Sequence, residues 1–165
     1  MMKRGLTKSG LSIVGAVLLL MISSAAQGLP DFSGSWTLDV AKSDFGMMPA
    51  PDSVVMVIDH KEPTVKVTTT QKSQMGDSSN DSTYTTDGKD NVNKMRSPAG
   101  DQDVKSTTKW NGKMLATTRT IEAQGMSIGI EETWDLSADG KVMTINRTLN
   151  TPQGAFSTKM VLNKK

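Results

Sequence analysis

One tripeptide pattern, Asp or Asn followed by Gly and Lys, occurs at positions 87–89, 111–113 and 139–141. Each copy interrupts a run in which apolar and polar residues alternate. Asp-Gly or Asn-Gly between such runs is the strongest short-range signal for a β-hairpin, because these residues tolerate the positive φ of a tight turn. The pattern therefore predicts a chain built from successive hairpins.

Alternating runs cover most of the chain beyond position 30. Besides a run around Trp36, we predict strands at 54–60, 64–71, 82–86, 91–96, 103–110, 114–121, 126–136, 142–149 and 155–162. One helical turn is expected at 41–43, and the polar segment 71–81 predicts a mobile loop. Short strands at regular spacing indicate a sandwich or a barrel. We expect an all-β fold, a single up-and-down antiparallel β-barrel of eight to ten strands, because only closure removes both unpaired edges.

The alternation also sorts the late strands into an inward and an outward face. The expected cross-strand partners are Ile121 with Met126, Leu136 with Met143, and Leu149 with Phe156. This register places Glu132 directly opposite Arg147. The candidate ligand-binding residues all lie on the inward face: Arg147, Glu132, Arg119, Thr117, Thr158 and Trp134.

The charged residues on this otherwise apolar face are costly unless they satisfy each other or a ligand. Two interpretations of Glu132 and Arg147 follow. In the first, they form a salt bridge that serves only the structure of the barrel interior or its rim. In the second, they orient a bound apolar ligand, because ligand pockets are mostly apolar with a few polar fixing groups.

The N-terminus has the pattern of a secretory signal peptide. Lys3, Arg4 and Lys8 precede an apolar stretch at 11–22, and small residues follow at 23–26. The apolar stretch is too short to span a bilayer. We assign residues 1–26 to a signal peptide and residues 27–165 to one β-barrel domain. The protein is then exported, to the periplasm or the medium, without stable membrane insertion after cleavage.

Cleavage after Ala26 changes the net charge of the chain. The full chain has 19 basic and 17 acidic residues, and three basic residues leave with the signal, so the net charge falls from +2 to −1. No Lys/Arg-rich run remains, which excludes nucleic acid as a partner class. The chain has no cysteine, which excludes disulfides and thiolate metal or redox sites. We expect a monomer.

Residues 125–129 match the G-x-S-x-G pattern of hydrolases. That motif needs a strand-to-helix turn and a later His, whereas Ser127 lies in a predicted strand and the single His, His60, precedes it. We interpret His60 as a strand-end residue that faces the barrel mouth. The Met47-Met48 pair and the aspartates within 77–90 lack the clustering or spacing of copper or calcium ligands. We therefore expect no enzyme activity, no metal and no cofactor.

The segment 32–38, Phe-Ser-Gly-Ser-Trp-Thr-Leu, resembles the Gly-x-Trp opening strand of the calycins, the superfamily of lipocalins and fatty-acid-binding proteins. The chain is also similar to exported lipocalin-like proteins of bacteria. The resemblance implies a barrel with Trp36 plugging one end and an internal cavity for a small apolar molecule. It also implies an Arg from a late strand over that Trp, a role open to Arg147 or Arg119.

Two features depart from the calycin pattern. No clear helix pair joins the first two strands, and the sequence 146–148, Asn-Arg-Thr, lacks the Arg-x-Tyr carboxylate clamp of the fatty-acid binders. The resemblance therefore does not extend to fatty-acid specificity.

Two functions from different classes fit the sequence. The first is an exported, non-catalytic binding protein that holds a small apolar or amphipathic ligand inside the barrel. The second is a filled barrel that acts as a protein-interaction or structural module of the cell envelope. Interior volume separates the two, because large inward residues can either line a cavity or fill it. These residues include Met56, Met126, Met143, Phe156 and Trp134.

Overall fold

The computed structural model describes residues 28–74, 76–97, 100–123 and 125–165, so the predicted signal peptide lies outside the described residues. The strands of this part of the chain are β1 Gly34–Leu38, β2 Ser53–Lys61, β3 Thr64–Lys72, β4 Ser78–Thr85, β5 Asp87–Ser97, β6 Gly100–Asn111, β7 Met114–Ala123, β8 Met126–Leu136, β9 Val142–Thr151 and β10 Gly154–Lys164. They form one antiparallel sheet in the order β4-β3-β2-β1-β10-β9-β8-β7-β6-β5. The predicted all-β, up-and-down antiparallel barrel is confirmed.

The barrel has a seam between β4 and β5, the first and last strands of the sheet order. The amide of Asn93 bridges this seam. Its Oδ1 accepts from the backbone N–H of Thr83 at 2.7 Å, and its Nδ2 donates to the Thr83 carbonyl at 3.0 Å. One side chain thus takes the place of a pair of ladder hydrogen bonds. The barrel is nearly closed, whereas the sequence argument expected closure to remove both edges.

The first Asp-Gly-Lys tripeptide is not a hairpin turn. Residues 87–89 lie inside β5, at the point where its register with β6 shifts. Gly88 adopts a φ of 76°, which a β-bulge requires as much as a tight turn does. The prediction of a hairpin there was wrong, because a β-bulge and a tight turn favour the same residue types. The tripeptides around Gly112 and Gly140 do form the predicted turns, between β6 and β7 and between β8 and β9.

The late hairpins keep the predicted registers with one exception. Two cross-strand pairs are confirmed: Leu136 with Met143, and Leu149 with Phe156. Ile121 pairs with Ile128 rather than with Met126, because β7 continues to Ala123 and shortens the turn. This shift is two residues, so every side chain stays on its predicted face.

Both flanks of the polar segment 71–81 are strand, residues 71–72 in β3 and 78–81 in β4. The first residue of the segment, Gln71, pairs with Ser78, and Thr69 pairs with Asn80. The hydrogen bonds of a ladder are formed by the backbone, so polar side chains do not prevent them. These polar side chains are tolerated because those that point inward line a cavity. The mobile loop predicted over the whole segment was therefore wrong at both of its flanks.

Aromatic residues fill one end of the barrel, called here the closed end. Phe32 and Trp36 are fully buried there, and the rings of His60 and Trp110 stack on Phe32 with centroids at 6.0 Å and 6.1 Å. The indole N–H of Trp36 donates to the Phe32 carbonyl at 2.9 Å. Trp36 therefore plugs this end, as the calycin resemblance implies.

The connection between β1 and β2 runs at the opposite end of the barrel, the far end. It contains one 3-10 turn, Val40–Lys42, close to the predicted position, and then forms a bridge between Asp44 and Lys159 of β10. The described residues 39–52 contain no helix pair, in agreement with the departure noted in the sequence. Within the described parts of the chain, no helix is long and apolar enough to cross a membrane.

Candidate functional site

A cavity of about 260 Å³ lies inside the barrel. It extends from Trp134 to Gln71 and Ser78, the pair of residues nearest the β3–β4 connection at the far end. Side chains fill the closed end but leave this space open. The interior is therefore hollow in its far half.

Three charged side chains meet at the wall of this cavity, and we call them the charge cluster: Arg119 of β7, Glu132 of β8 and Arg147 of β9. Arg147 Nε donates to Glu132 Oε2 at 2.7 Å, and Arg119 Nη2 donates to the same oxygen at 3.3 Å. Glu132 Oε1 accepts from the indole N–H of Trp134 at 2.7 Å. Glu132 is only 5% exposed, so protein donors hold its carboxylate.

Strand register explains why these side chains meet. Glu132 lies opposite Arg147 on one side, as predicted, and opposite Thr117 on the other. Arg119 comes two residues after Thr117 on the same face, and a diagonal neighbour of this kind is within reach of a long side chain. The two-residue period of a strand also puts Trp134 on the face of Glu132.

Burial alone would raise the pKa of the Glu132 carboxyl. The positive charges of Arg147 and Arg119, with hydrogen bonds from Trp134 and Arg147, outweigh burial and lower this pKa to about 2. The charge of Glu132 in turn raises the pKa of Arg147 against the effect of desolvation. Glu132 is therefore ionised at neutral pH. The cluster therefore holds two positive charges against one negative charge.

Both guanidinium groups keep most of their hydrogen-bonding capacity. A guanidinium presents a planar fork of N–H donors, and within the described residues Arg119 and Arg147 each donate one hydrogen bond, to Glu132. Their side chains are 17% and 30% exposed and line the cavity. An anion in the cavity would meet an excess positive charge and free N–H groups.

The cavity brings together most, but not all, of the predicted ligand-binding residues. Arg147, Glu132, Arg119 and Trp134 line it. Thr117 and Thr158 are buried beside it, and the Thr117 hydroxyl is hydrogen-bonded to that of Thr108 at 2.9 Å. A ligand-binding role stays a prediction for all of these residues.

Sequence reasoning did not identify the residues on one side of the cavity. β4 turns Asn80, Ser82 and Tyr84 toward the cavity, and with Asn93 of β5 they form a polar wall. Most inward positions of β4 are polar, so its alternation gives no signal for an inward face. The register identifies that face, because Ser82 pairs with the buried Val67 of β3.

The cation over Trp36 is a lysine. Lys164 Nζ lies 5.2 Å from the centroid of the Trp36 ring. The expectation that Arg147 or Arg119 covers this ring was wrong, because the charge cluster holds both of them. Gly34 makes room for the lysine: a Cβ there would lie 2.6 Å from Lys164 Cε, and its φ of 134° disfavours any other residue.

His60 lies at the closed end, whereas the prediction placed it at a barrel mouth. Its Nδ1 accepts from the Phe32 backbone N–H at 3.2 Å, and its Nε2 is 2.9 Å from Glu62 Oε1. Glu62 also accepts from the Trp110 indole at 2.9 Å and from the Thr86 hydroxyl at 2.5 Å. Burial would raise the pKa of Glu62, but these hydrogen bonds lower it. No sequence pattern links these distant residues, so sequence reasoning missed this hydrogen-bond network, which joins Glu62 to β2, to Thr86 and to β6.

Ser127, the residue of the G-x-S-x-G match, lies within β8. Its side chain is exposed on the outer face, and the strand continues to Leu136. The strand-to-helix turn that the hydrolase motif requires does not occur at this position.

No protein-family model and no curated protein matches the chain. Solved structures with a similar fold include the following two. Zebrafish ileal bile acid-binding protein complexed with cholic acid has a TM-score of 0.53 and 17% identity, over 81% of this chain and 98% of that chain. Wild-type fluorescent protein UnaG has a TM-score of 0.53 and 14% identity, over 81% of this chain and 97% of that chain. The chain therefore shares the β-barrel fold of these two proteins.

Proposed function

We propose that the protein is an exported, non-catalytic binding protein that holds one small amphipathic anion inside its barrel. The observation that carries this proposal is the charge cluster, in which two guanidinium groups share one oxygen of a single buried carboxylate. A partly buried charge without a partner is costly. A ligand anion at the cavity wall neutralises the excess positive charge.

A carboxylate is the anion that this geometry suits best. Guanidinium and carboxylate groups match as two parallel N–H···O hydrogen bonds. Arg147 contacts Glu132 only through Nε, which leaves its terminal nitrogens for the ligand. Glu132 stays in place meanwhile, because Arg119 and the Trp134 indole also hold it.

The rest of the cavity suits a compact body with an apolar side. Val54, Met56, Ile145 and Met160 supply apolar lining, and the polar wall supplies the remainder. A volume of about 260 Å³ lies just below the roughly 300–1,000 Å³ of common ligand pockets. Buried apolar surface contributes about 25 cal/mol per Å² before the costs of association are subtracted.

Two further observations support the proposal. The zebrafish neighbour of this fold was solved with cholic acid, so a barrel of this shape accommodates an amphipathic acid in at least one protein. The N-terminal charge and hydropathy pattern is that of a cleaved export signal.

The binding test compares an acid with a neutral molecule of the same chain length. Residues 27–165 are titrated with decanoate and with 1-decanol in a calorimeter. Decanoate should bind at least about 10-fold more tightly, because hydrogen bonds to a charged group contribute about 1.5–3 kcal/mol. Arg147→Met should remove this advantage. Arg96→Met is the matched control, because Arg96 is an exposed arginine outside the cavity.

Equal affinity for the acid and the alcohol, or an unchanged advantage in Arg147→Met, would contradict the proposal. Export is tested separately, by fractionating bacterial cells that express the full chain and measuring the mass of the protein outside the cytoplasm. A product that begins at Gln27 is expected. A product that keeps residues 1–26 would contradict the assignment of a cleaved signal.

A further inference from the structure

Ser106 on β6 has a buried hydroxyl with no partner. The residue is 4% exposed, and its Oγ has no hydrogen-bond partner among the residues that the structure describes. A buried hydroxyl without a partner is uncommon, because it loses its hydrogen bonds to water without replacement. Ser106 also lines the cavity. An unsatisfied hydroxyl at a cavity wall is the feature expected of a group whose partner is a ligand.

The position of Ser106 relative to the charge cluster defines which chemical groups that ligand would carry. Ser106 pairs directly with Arg119 across the β6–β7 ladder. Directly opposed residues have Cβ atoms about 4.5–5.5 Å apart on the same face. The Ser106 hydroxyl therefore lies beside the base of the Arg119 side chain, whose guanidinium extends to Glu132 on the next strand. A ligand that places its anion on the guanidinium brings its adjacent carbon atoms to Ser106.

A second buried hydroxyl shows that the lack of a hydrogen-bond partner does not by itself identify a ligand contact. Thr37 Oγ1 is also buried without a hydrogen bond. Thr37 lies on β1 between Trp36 and Leu38, whose side chains point to the core, and it does not line the cavity. Thr37 thus provides a matched control for Ser106, because only the latter has room for a ligand atom.

Two other polar side chains near Ser106, those of Thr108 and Asn93, are already hydrogen-bonded elsewhere. Thr108, two residues further along the same face of β6, shares a hydrogen bond with Thr117. Asn93, on the neighbouring strand β5, is used by the seam. Rotation about one bond moves the Ser106 oxygen between its staggered positions, so the hydroxyl can turn toward a ligand oxygen in the cavity.

We propose that Ser106 and Arg119 together form a subsite for a hydroxy acid, with the carboxylate on the guanidinium and a hydroxyl group on the 2- or 3-carbon bonded to Ser106. This inference rests on the proposed function, which requires only that the ligand is an amphipathic anion. The inference adds the chemical class of that anion, which is a hydroxy acid. Unsubstituted acids leave Ser106 unpaired, and a site built to bond a hydroxyl discriminates against ligands that lack it.

The test uses calorimetric titration of residues 27–165 with decanoate and with 3-hydroxydecanoate, which differ by one hydroxyl. We expect the hydroxy acid to bind about 10-fold more tightly, the effect of one well-formed hydrogen bond in a buried site. In Ser106→Ala the two acids should bind equally. Thr37→Val removes the other unpartnered hydroxyl and should keep the 10-fold preference.

The outcomes separate the two proposals. Equal affinity of the unaltered protein for both acids, or a preference that survives in Ser106→Ala, overturns the subsite while the amphipathic-anion function stands. Failure of both acids to bind overturns both proposals. The comparison in the unaltered protein needs no variant, so a folding defect in Ser106→Ala would not remove the test.

Discussion

Replacing Glu132 by glutamine measures how much the charge cluster stabilises the fold. The glutamine keeps an oxygen for the Trp134 indole but removes the negative charge between Arg119 and Arg147. Removing one partner of a buried ion pair costs about 3–5 kcal/mol, and the partial exposure of the two arginines places this case at the lower end. A pKa lowered from 4.5 to about 2 leads to a similar figure at about 1.4 kcal/mol per unit. We expect the free energy of unfolding to fall by about 3 kcal/mol at pH 7.

The same variant predicts a pH dependence with a defined sign. The carboxyl of Glu132 has a lower pKa in the folded protein than its usual 4.5, so the stabilisation is complete above that pH. It is lost as the pH falls through about 2, where the folded protein takes up the proton. The difference between the unaltered protein and Glu132→Gln should therefore shrink from about 3 kcal/mol at pH 7 to nearly zero at about pH 2.

Urea unfolding followed by tryptophan fluorescence measures both effects, because Trp134 contacts the cluster directly. Glu131→Gln is the control, since the neighbouring carboxylate is exposed and its removal should change stability by no more than about 0.5 kcal/mol. A loss below about 1 kcal/mol in Glu132→Gln at pH 7 would refute the cluster as a stabilising unit. A difference that stays the same at both pH values would refute the ionised state assigned to Glu132.

Three further predictions concern the seam and the closed end. Trp36→Ala should cost about 3–5 kcal/mol in urea unfolding, because a fully buried indole is removed, and a cost under about 1 kcal/mol would mean that this end is not packed as described. Asn93→Ala should speed hydrogen exchange at the Thr83 amide, measured by NMR, while the control Asn91→Ala, which removes a bond to the Thr85 hydroxyl across the seam, leaves that amide protected. Equal exchange in both variants would contradict the bridged seam. Trp110→Phe keeps a stacked ring but removes its hydrogen bond, so it should cost about 1 kcal/mol, and a neutral result would show that the closed-end network is not stabilising.

Much of the fold was predictable from the sequence, because it depends on two local signals, residue alternation and turn residues. The two-residue alternation decides the face of each side chain, and Gly with Asn or Asp marks where a strand reverses. These signals were enough to locate ten strands and to place Glu132 opposite Arg147. They failed at residues 87–89, where a bulge and a turn have the same residue requirements, and on β4, whose inward residues are mostly polar.

The tertiary structure decided the features that depend on distant strands and on side-chain direction. Arg119 joins Glu132 diagonally, Lys164 takes the place over Trp36, and Asn93 bridges two strands that share no ladder. The volume left inside the barrel was equally beyond the sequence, because it depends on how large side chains from opposite walls fit together. Alternation establishes that a residue points inward. The closure of the barrel determines which side chains it contacts there, and these contacts give the cavity its chemistry.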